Sequence, residues 1–234
     1  MVDMIATYAA SKPWTLRPNI VLVEGTSDEA LFKHADQLSM RAGRILLGDE
    51  ICIVAAGRRD RGGTYGVARE LITLRSMVPL VLDRHGRPAY RVMGLVDNDH
   101  AGRRIINDVV RLDRSAVEFY DIVTLRPVAP VFVQLDPQGR QNECNLANSR
   151  YRTLDWEIED ALSLRLLTLF NQRHPGLLSP RMQEGDKTHY ELTRDGKNAL
   201  HRLVLQEATI DDLADVVQIV RMIRSILGLQ IPTK

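Results

Sequence analysis

Two apolar runs in this 234-residue chain stop abruptly at carboxylates. The first, Val21-Leu-Val, runs into Glu24-Gly-Thr-Ser-Asp-Glu29; the second, Gly94-Leu-Val, runs into Asp97-Asn-Asp-His-Ala-Gly102. An unpaired charge at the tip of a buried strand costs on the order of several kcal/mol, so acids there call for a cation or a basic partner. Residues two apart in an extended segment point the same way, so Asp97 and Asp99 present their carboxylates together while Asn98 points aside. Glu24 belongs with them, because ligands of open α/β sheets gather outside the carboxyl ends of the strands. Oxygen-only donors of this kind suit Mg²⁺ or Mn²⁺, one or two ions, whose chemistry is the activation of water against phosphate esters.

Other residues have two readings each. Asp28 and Glu29 follow Thr26 and Ser27 at a helix start, where acids are ordinary stabilisers; Asp28 is equally a metal ligand. Asp-Asn-Asp before Ala-Gly-Arg-Arg has the form of a turn entering a helix. The loop Ala56-Gly-Arg-Arg-Asp-Arg-Gly-Gly-Thr64 follows a parallel strand and offers Arg58, Arg59 and Arg61 to phosphate oxygens, with glycines that admit a bulky polyanion; the plain alternative is a solvated charged loop. Arg103 and Arg104 sit just past the Asp-x-Asp as substrate contacts, Arg104 also as the partner of a local acid. Lys33 lies one turn beyond Glu29 and reads as its surface ion-pair partner. His100, beside Asp99, suits a proton shuttle or an orienting group.

Alternating patterns supply the frame for these residues. Strands are expected at Asn19–Glu24, Glu50–Ala56 and Tyr90–Val96, and helices at Ser27–Arg41, Thr64–Met77 and Gly102–Leu112, with a hairpin-like insert at Asp83–Pro88. Strand and helix in strict alternation mean a parallel sheet. Further strands are expected at Val117–Leu125 and Val131–Leu135, the second turning through Asp136-Pro-Gln-Gly139. Beyond about Leu162 the chain reads as helices at Ala161–Gln172, Gly196–Glu207 and Thr209–Leu227. In the last, Thr209 is the expected cap, and Ile210, Leu213, Val217, Val220 and Ile223 form a wide apolar stripe that packs on the core or serves as a homodimer face.

Glu24, Gly25, Asp97, Asp99 and Gly102, in this order after hydrophobic strands, resemble the toprim domain family. The form Glu24-Gly-Thr-Ser-Asp28 is most similar to the OLD-type nucleases and to compact toprim effectors of bacterial anti-phage systems. The resemblance covers about residues 19–113. It implies a toprim-like, Rossmann-like α/β domain over residues 1–160 (core about 19–135) with a helical C-terminal extension over 161–234. It further implies a divalent-metal-dependent nuclease using Glu24, Asp97 and Asp99, and a bacterial or phage-borne, cytoplasmic protein. OLD-like relatives also have an acid at a downstream Glu-rich helix start that completes the metal site. In Asp155-Trp-Glu-Ile-Glu-Asp160 that role falls to Glu159 in preference to Glu157, against the ordinary reading of acids at a helix N-terminus. The competing expectation is a non-catalytic toprim-fold subunit that regulates a partner ATPase, since the chain has no P-loop of its own.

Composition bounds these readings. A net charge of +1 gives no global pull on nucleic acid, so affinity has to come from a local patch. Cys52 and Cys144 lie far apart without metal-ligand spacing and read as reduced thiols. No apolar run approaches the ~20 residues that span a bilayer, and Met1 to Trp14 lacks the pattern of a signal peptide. No Ser-His-Asp or Cys-His arrangement and no tyrosine placed as a topoisomerase nucleophile is visible, which turns the expectation away from strand passage.

Overall fold

The computed structural model describes residues 3–57 and 62–231. In chain order these form α1 (Met4–Ala10), β1 (Asn19–Val23), α2 (Thr26–Arg41), β2 (Ile51–Ala55), α3 (Gly63–Met77), β3 (Arg91–Val96), α4 (His100–Leu112) and β4 (Ile122–Thr124). They continue with α5 (Pro137–Ala147), α6 (Leu164–Arg173), β5 (Leu178–Glu184), β6 (Lys187–Leu192), α7 (Arg194–Glu207) and α8 (Ala214–Leu227). The chain forms two compact units, the first from Met1–Glu29, Leu47–Val96 and Ala101–Thr124, the second from Ala30–Leu46, Asp97–His100 and Leu125–Lys234. Among the described residues no helix is long and apolar enough to cross a membrane.

The first unit is built on a four-stranded, all-parallel sheet in the order β2-β1-β3-β4. Its strands are apolar at nearly every position because both faces are buried: Ile20, Val21 and Leu22 of β1 have no exposed surface. Each such side chain contributes roughly 1.5–3 kcal/mol on burial. Val67, Leu71 and Leu74 of α3 and Ile105, Ile106 and Val109 of α4 share one core with Ile20 and Leu22. The approach of α3 to β3 depends on Gly94, where a Cβ would stand 2.8 Å from Val67 Cγ1.

The long strand expected over Val117–Leu125 is shortened to β4. Asp121 Oδ2 accepts a hydrogen bond from Val117 N (2.9 Å) and Phe119 takes φ 60°, so the start of that stretch is a turn held by a buried aromatic ring. No strand forms at Val131–Leu135 either; Val133 and Gln134 donate their backbone amides to the Glu143 carboxylate instead. The expected turn after it is a helix start: Asp136 accepts from Gly139 N at 2.7 Å with Pro137 in the first turn of α5.

The C-terminal region is mostly helical, as expected, but carries the antiparallel hairpin β5–β6, paired from Leu178↔Leu192 to Glu184↔Lys187 around Gly185-Asp186. The apolar stripe of α8 is spent inside the chain, with Ile219, Val220, Ile223 and Ile226 all buried. It is therefore not left exposed as the homodimer face considered above.

Thr209 does not cap the last helix with its oxygen. Its amide and hydroxyl both donate to Asp212, which also accepts from Ser163 Oγ (2.6 Å) and is paired with Arg165. The Arg165 guanidinium first, then the Ser163 and Thr209 donors, hold this carboxyl well below the usual range against the opposing effect of burial. A depressed carboxyl contributes its full stabilisation above its unfolded value of about 3.9 and loses it gradually as pH falls from there through the much lower folded value. The urea midpoint of Asp212→Asn is thus expected to lie well below the parent's at pH 7, with the gap narrowed but still clear at pH 3. An equal gap at both pH values would remove the charge from the account.

Candidate functional site

β1 ends at Val23, and the next residue, Glu24, organises the turn that follows. Glu24 O accepts from Gly63 N (3.0 Å), one residue on from Val23 O, which accepts from Ala56 N (2.8 Å). Gly63 adopts φ +70°, a region that favours glycine, and a Cβ on Gly62 would stand 2.9 Å from Glu24 O and 3.1 Å from Gly57 O. A Cβ on Gly63 would lie 3.9 Å from Glu24 Oε2, so the carboxylate sits beside the first residue of α3, where the helix presents its amide end. Both ends of the arginine loop are thereby held at β1. Arg58, Arg59 and Arg61 themselves lie outside the described residues.

The neighbouring acids serve the same turn. Asp28 Oδ2 accepts from Gly25 N (2.9 Å) while Gly25 O accepts from Glu29 N, the side-chain-to-cap half of a capping box at the start of α2. Glu29 Oε2 accepts from Ala55 N (2.9 Å), tying the first turn of α2 to the end of β2.

β3 is the parallel neighbour of β1, with Leu22 opposite Gly94, and its last residue, Val96, leads directly into Asp97. Within the second unit, Asn98 is fully buried. Its backbone pairs with Trp156 in both directions (2.8 and 3.2 Å), and its Nδ2 donates to Leu154 O (3.1 Å). Asp97 Oδ1 accepts from Ile158 N (3.1 Å), whereas Asp97 and Asp99 both keep partial exposure. The inward turn of Asn98 between two accessible acids agrees with the alternation read from the sequence. His100 opens α4 and is exposed. Arg103 and Arg104 follow on the same helix, also exposed, and Arg104 reaches Asp108 at 3.8 Å, a helical pair worth a few tenths of a kcal/mol.

The segment that clasps Asn98 also carries the downstream acids. Glu157 and Glu159 flank Ile158 at a single 3₁₀ turn, Ile158–Ala161, and both engage Lys197 of α7, at 2.6 and 3.5 Å. Asp160 points the other way, accepting from Glu157 N and Tyr190 N and meeting buried His189 at 2.7 Å. Burial pushes the Lys197 ammonium toward neutrality, but Glu159, Glu157 and Asp97 together outweigh it and hold its proton affinity above the ordinary lysine value. Lys197 was not singled out from the sequence. The available signal was its place in the first turn of α7, where a cation is opposed by the helix dipole and so needs another reason to be there.

Asp97, Glu157, Glu159 and Lys197 are thus gathered within one unit, and Glu24 and Asp28 within the other. Among the described residues no three His, Cys, Asp or Glu side chains stand in a ready metal cage. The cation in the second unit's acidic group is Lys197. Replacing it with Met removes the ammonium from both Glu157 and Glu159. Because the lysine side chain is 40% exposed, the cost is expected at about 1–2 kcal/mol, below that of a fully buried pair. Millimolar Mg²⁺ should restore more of the unfolding temperature in Lys197→Met than it adds to the parent. A metal response identical in both proteins would show that these acids do not attract a divalent ion.

No protein-family model, curated protein or solved structure matches the chain.

Proposed function

We propose that the chain is a divalent-metal-dependent phosphodiesterase acting on nucleic acid, its parallel sheet a toprim-like one and its biological role that of an effector nuclease in anti-phage defence. The observation that carries this reading is the pair of neighbouring parallel strands, β1 and β3, each of which runs straight into a carboxylate, Glu24 and Asp97. The donors are all oxygens, which fits a hard ion that retains waters and phosphate ligands. When bound, Mg²⁺ or Mn²⁺ supplies neutralisation of phosphate charge and lowers the proton affinity of water.

The chain's own residues have separable tasks. Glu24, Asp97 and Asp99 are the principal oxygen donors, with Asp28 and Glu159 as outer ones. Asp28 also keeps the Glu24 turn in shape through Gly25 N. Lys197 pairs with Glu157 and Glu159, and the Asn98 clasp fixes the backbone between the two aspartates. Arg58, Arg59, Arg61 and Arg103 bind substrate phosphates.

One observation favours a second reading. Lys197 already balances the downstream acids, as it would in a toprim-fold subunit that needs no second ion and regulates a partner ATPase. The two readings separate when purified protein is incubated with plasmid, single-stranded DNA and total RNA, with and without Mg²⁺ or Mn²⁺. Metal-dependent cleavage of any substrate supports the enzyme; none, with or without an ATPase encoded beside it, supports the subunit. On the enzyme reading, replacing Arg58, Arg59 and Arg61 together with alanine should flatten the salt dependence of nucleic-acid binding by about 0.7–0.9 in log–log slope per lost phosphate contact. An unchanged slope would return the loop to plain solvation.

A further inference from the structure

The first unit contains a cleft of about 820 Å³ at the opposite end of its strands from Glu24, where Asn19 begins β1 and Arg91 begins β3. Sites that enclose small molecules span roughly 300–1,000 Å³. Its lining includes apolar Ile72, Pro79 and Pro88 and basic Arg75, Arg91 and Arg114.

The charges in that lining do not cancel. Asp113 and Asp121 also line the cleft, and Arg75 takes both: its Nε donates to Asp113 at 2.9 Å, its Nη1 pairs with Asp121, and its Nη2 donates to Ser115 at 2.9 Å. The other oxygen of Asp121 accepts from Val117 N. Arg91 is therefore close to a carboxylate whose oxygens are already used. Its Nε and Nη2 are shielded from water and have no hydrogen-bond partner. These two atoms form the edge of the guanidinium that grips a carboxylate or phosphate with two parallel hydrogen bonds. Tyr120 lies over the guanidinium face at 4.3 Å and is 42% exposed. Burial lowers the proton affinity of Arg91, and Tyr120 and Asp121 offset that only in part. A buried donor without a partner is costly to leave so, and a ligand oxygen removes that cost.

We propose that this cleft binds a phosphorylated small molecule of nucleotide size, its phosphate held by the Nε–Nη2 edge of Arg91 with Arg114 beside it. Two arginines not taken by Asp113 or Asp121 match the charge of a phosphate monoester better than that of a single carboxylate. The volume exceeds what phosphate alone fills, and the apolar residues take the organic part. The exposed Tyr120 ring moves aside as the anion enters. Nothing in this site draws on the acids of Glu24 or Asp97, so it stands or falls apart from the nuclease reading.

The test is calorimetric titration of the full chain with AMP, inorganic phosphate, adenosine and citrate, all with EDTA present, alongside thermal unfolding. AMP should bind and raise the unfolding temperature, with inorganic phosphate, adenosine and citrate each weaker by about tenfold or more, a difference of about 1.4 kcal/mol. Arg91→Lys should weaken AMP by a similar factor, because a point charge cannot reproduce the two-pronged edge. Arg91→Met should abolish AMP binding with little change in the unfolding temperature of the free protein, since the lost stacking against Tyr120 is offset by removal of buried donors that have no partner there. The backbone amide of residue 91 keeps its bond to Pro18 O (2.8 Å) in both variants. The proposal is overturned by failure of AMP to bind, by undiminished binding to Arg91→Met, or by destabilisation of the free Arg91→Met protein. Equal binding of inorganic phosphate and AMP overturns the nucleotide-sized occupant.

Discussion

Asp97→Asn is expected to lower metal-dependent cleavage by about 10²–10³-fold, the scale set by removing one group that stabilises developing charge, while stability stays within about 0.5 kcal/mol. The separation comes from the geometry. Asparagine has the volume of aspartate and keeps an oxygen for Ile158 N, so the contact at 3.1 Å survives and only the charge is lost. Glu24→Gln should behave alike, because it keeps the backbone oxygen that accepts from Gly63 N. Plasmid cleavage and urea unfolding of the same preparations make the comparison. Full activity in the Asp97→Asn/Asp99→Asn double variant would end the nuclease reading; loss of stability in step with activity would assign these carboxylates to the fold.

Trp156→Ala is expected to cost about 3–5 kcal/mol, the largest loss of stability for a single side chain near this site. Trp156 is 2% exposed, and its backbone carries both bonds to Asn98, so the ring anchors the segment that positions Asp97 and Glu157. Lys187 stands 5.5 Å from the ring, a lesser contribution that Trp156→Phe retains in part. Chemical unfolding followed by circular dichroism gives the cost. A change below about 1 kcal/mol would mean that the surroundings close over the missing ring without a cavity. Cleavage by the folded fraction of Trp156→Ala should also fall, whereas the phenylalanine variant should retain most of it.

The parallel sheet was legible because buried strands leave an uninterrupted apolar run, as in Asn19–Val23 and Ile51–Ala55, and a helical pattern between them forces the crossover. That Glu24 and Asp97 stand just past the ends of β1 and β3 was legible for the complementary reason, that a carboxylate stops an apolar run. The hairpin β5–β6 was not. Leu178–Glu184 is mostly exposed, contains Pro180 and has an irregular register between Pro180 and Met182, so it lacks the alternation that marks a strand. Asp136-Pro137 was read as a turn because the same pair serves a turn and a helix start, and only the chain after it decides. Lys197 and the clasp around Asn98 depend on contacts 40 and 58 residues distant in sequence, which no local pattern records. Arg91 escaped notice for a different reason: what distinguishes it is the absence of a hydrogen-bond partner for its Nε and Nη2, and a partner's absence leaves no trace in spacing.

Two hydrogen bonds, Ala56 N to Val23 O and Gly63 N to Glu24 O, anchor the segment between them at both of its ends. Its departure and its return are fixed to two consecutive residues, Val23 at the end of β1 and Glu24 just past it. Lengthening such a closed segment costs only about 0.6 kcal/mol for each doubling, provided Gly62 and Gly63 remain to make the return. If the arginine loop binds substrate as proposed, preference can drift by insertion, deletion or recoding of a few loop codons while Glu24 and Asp97 stay untouched. In a lineage under pressure to recognise changing targets, that is where variation between close relatives should concentrate.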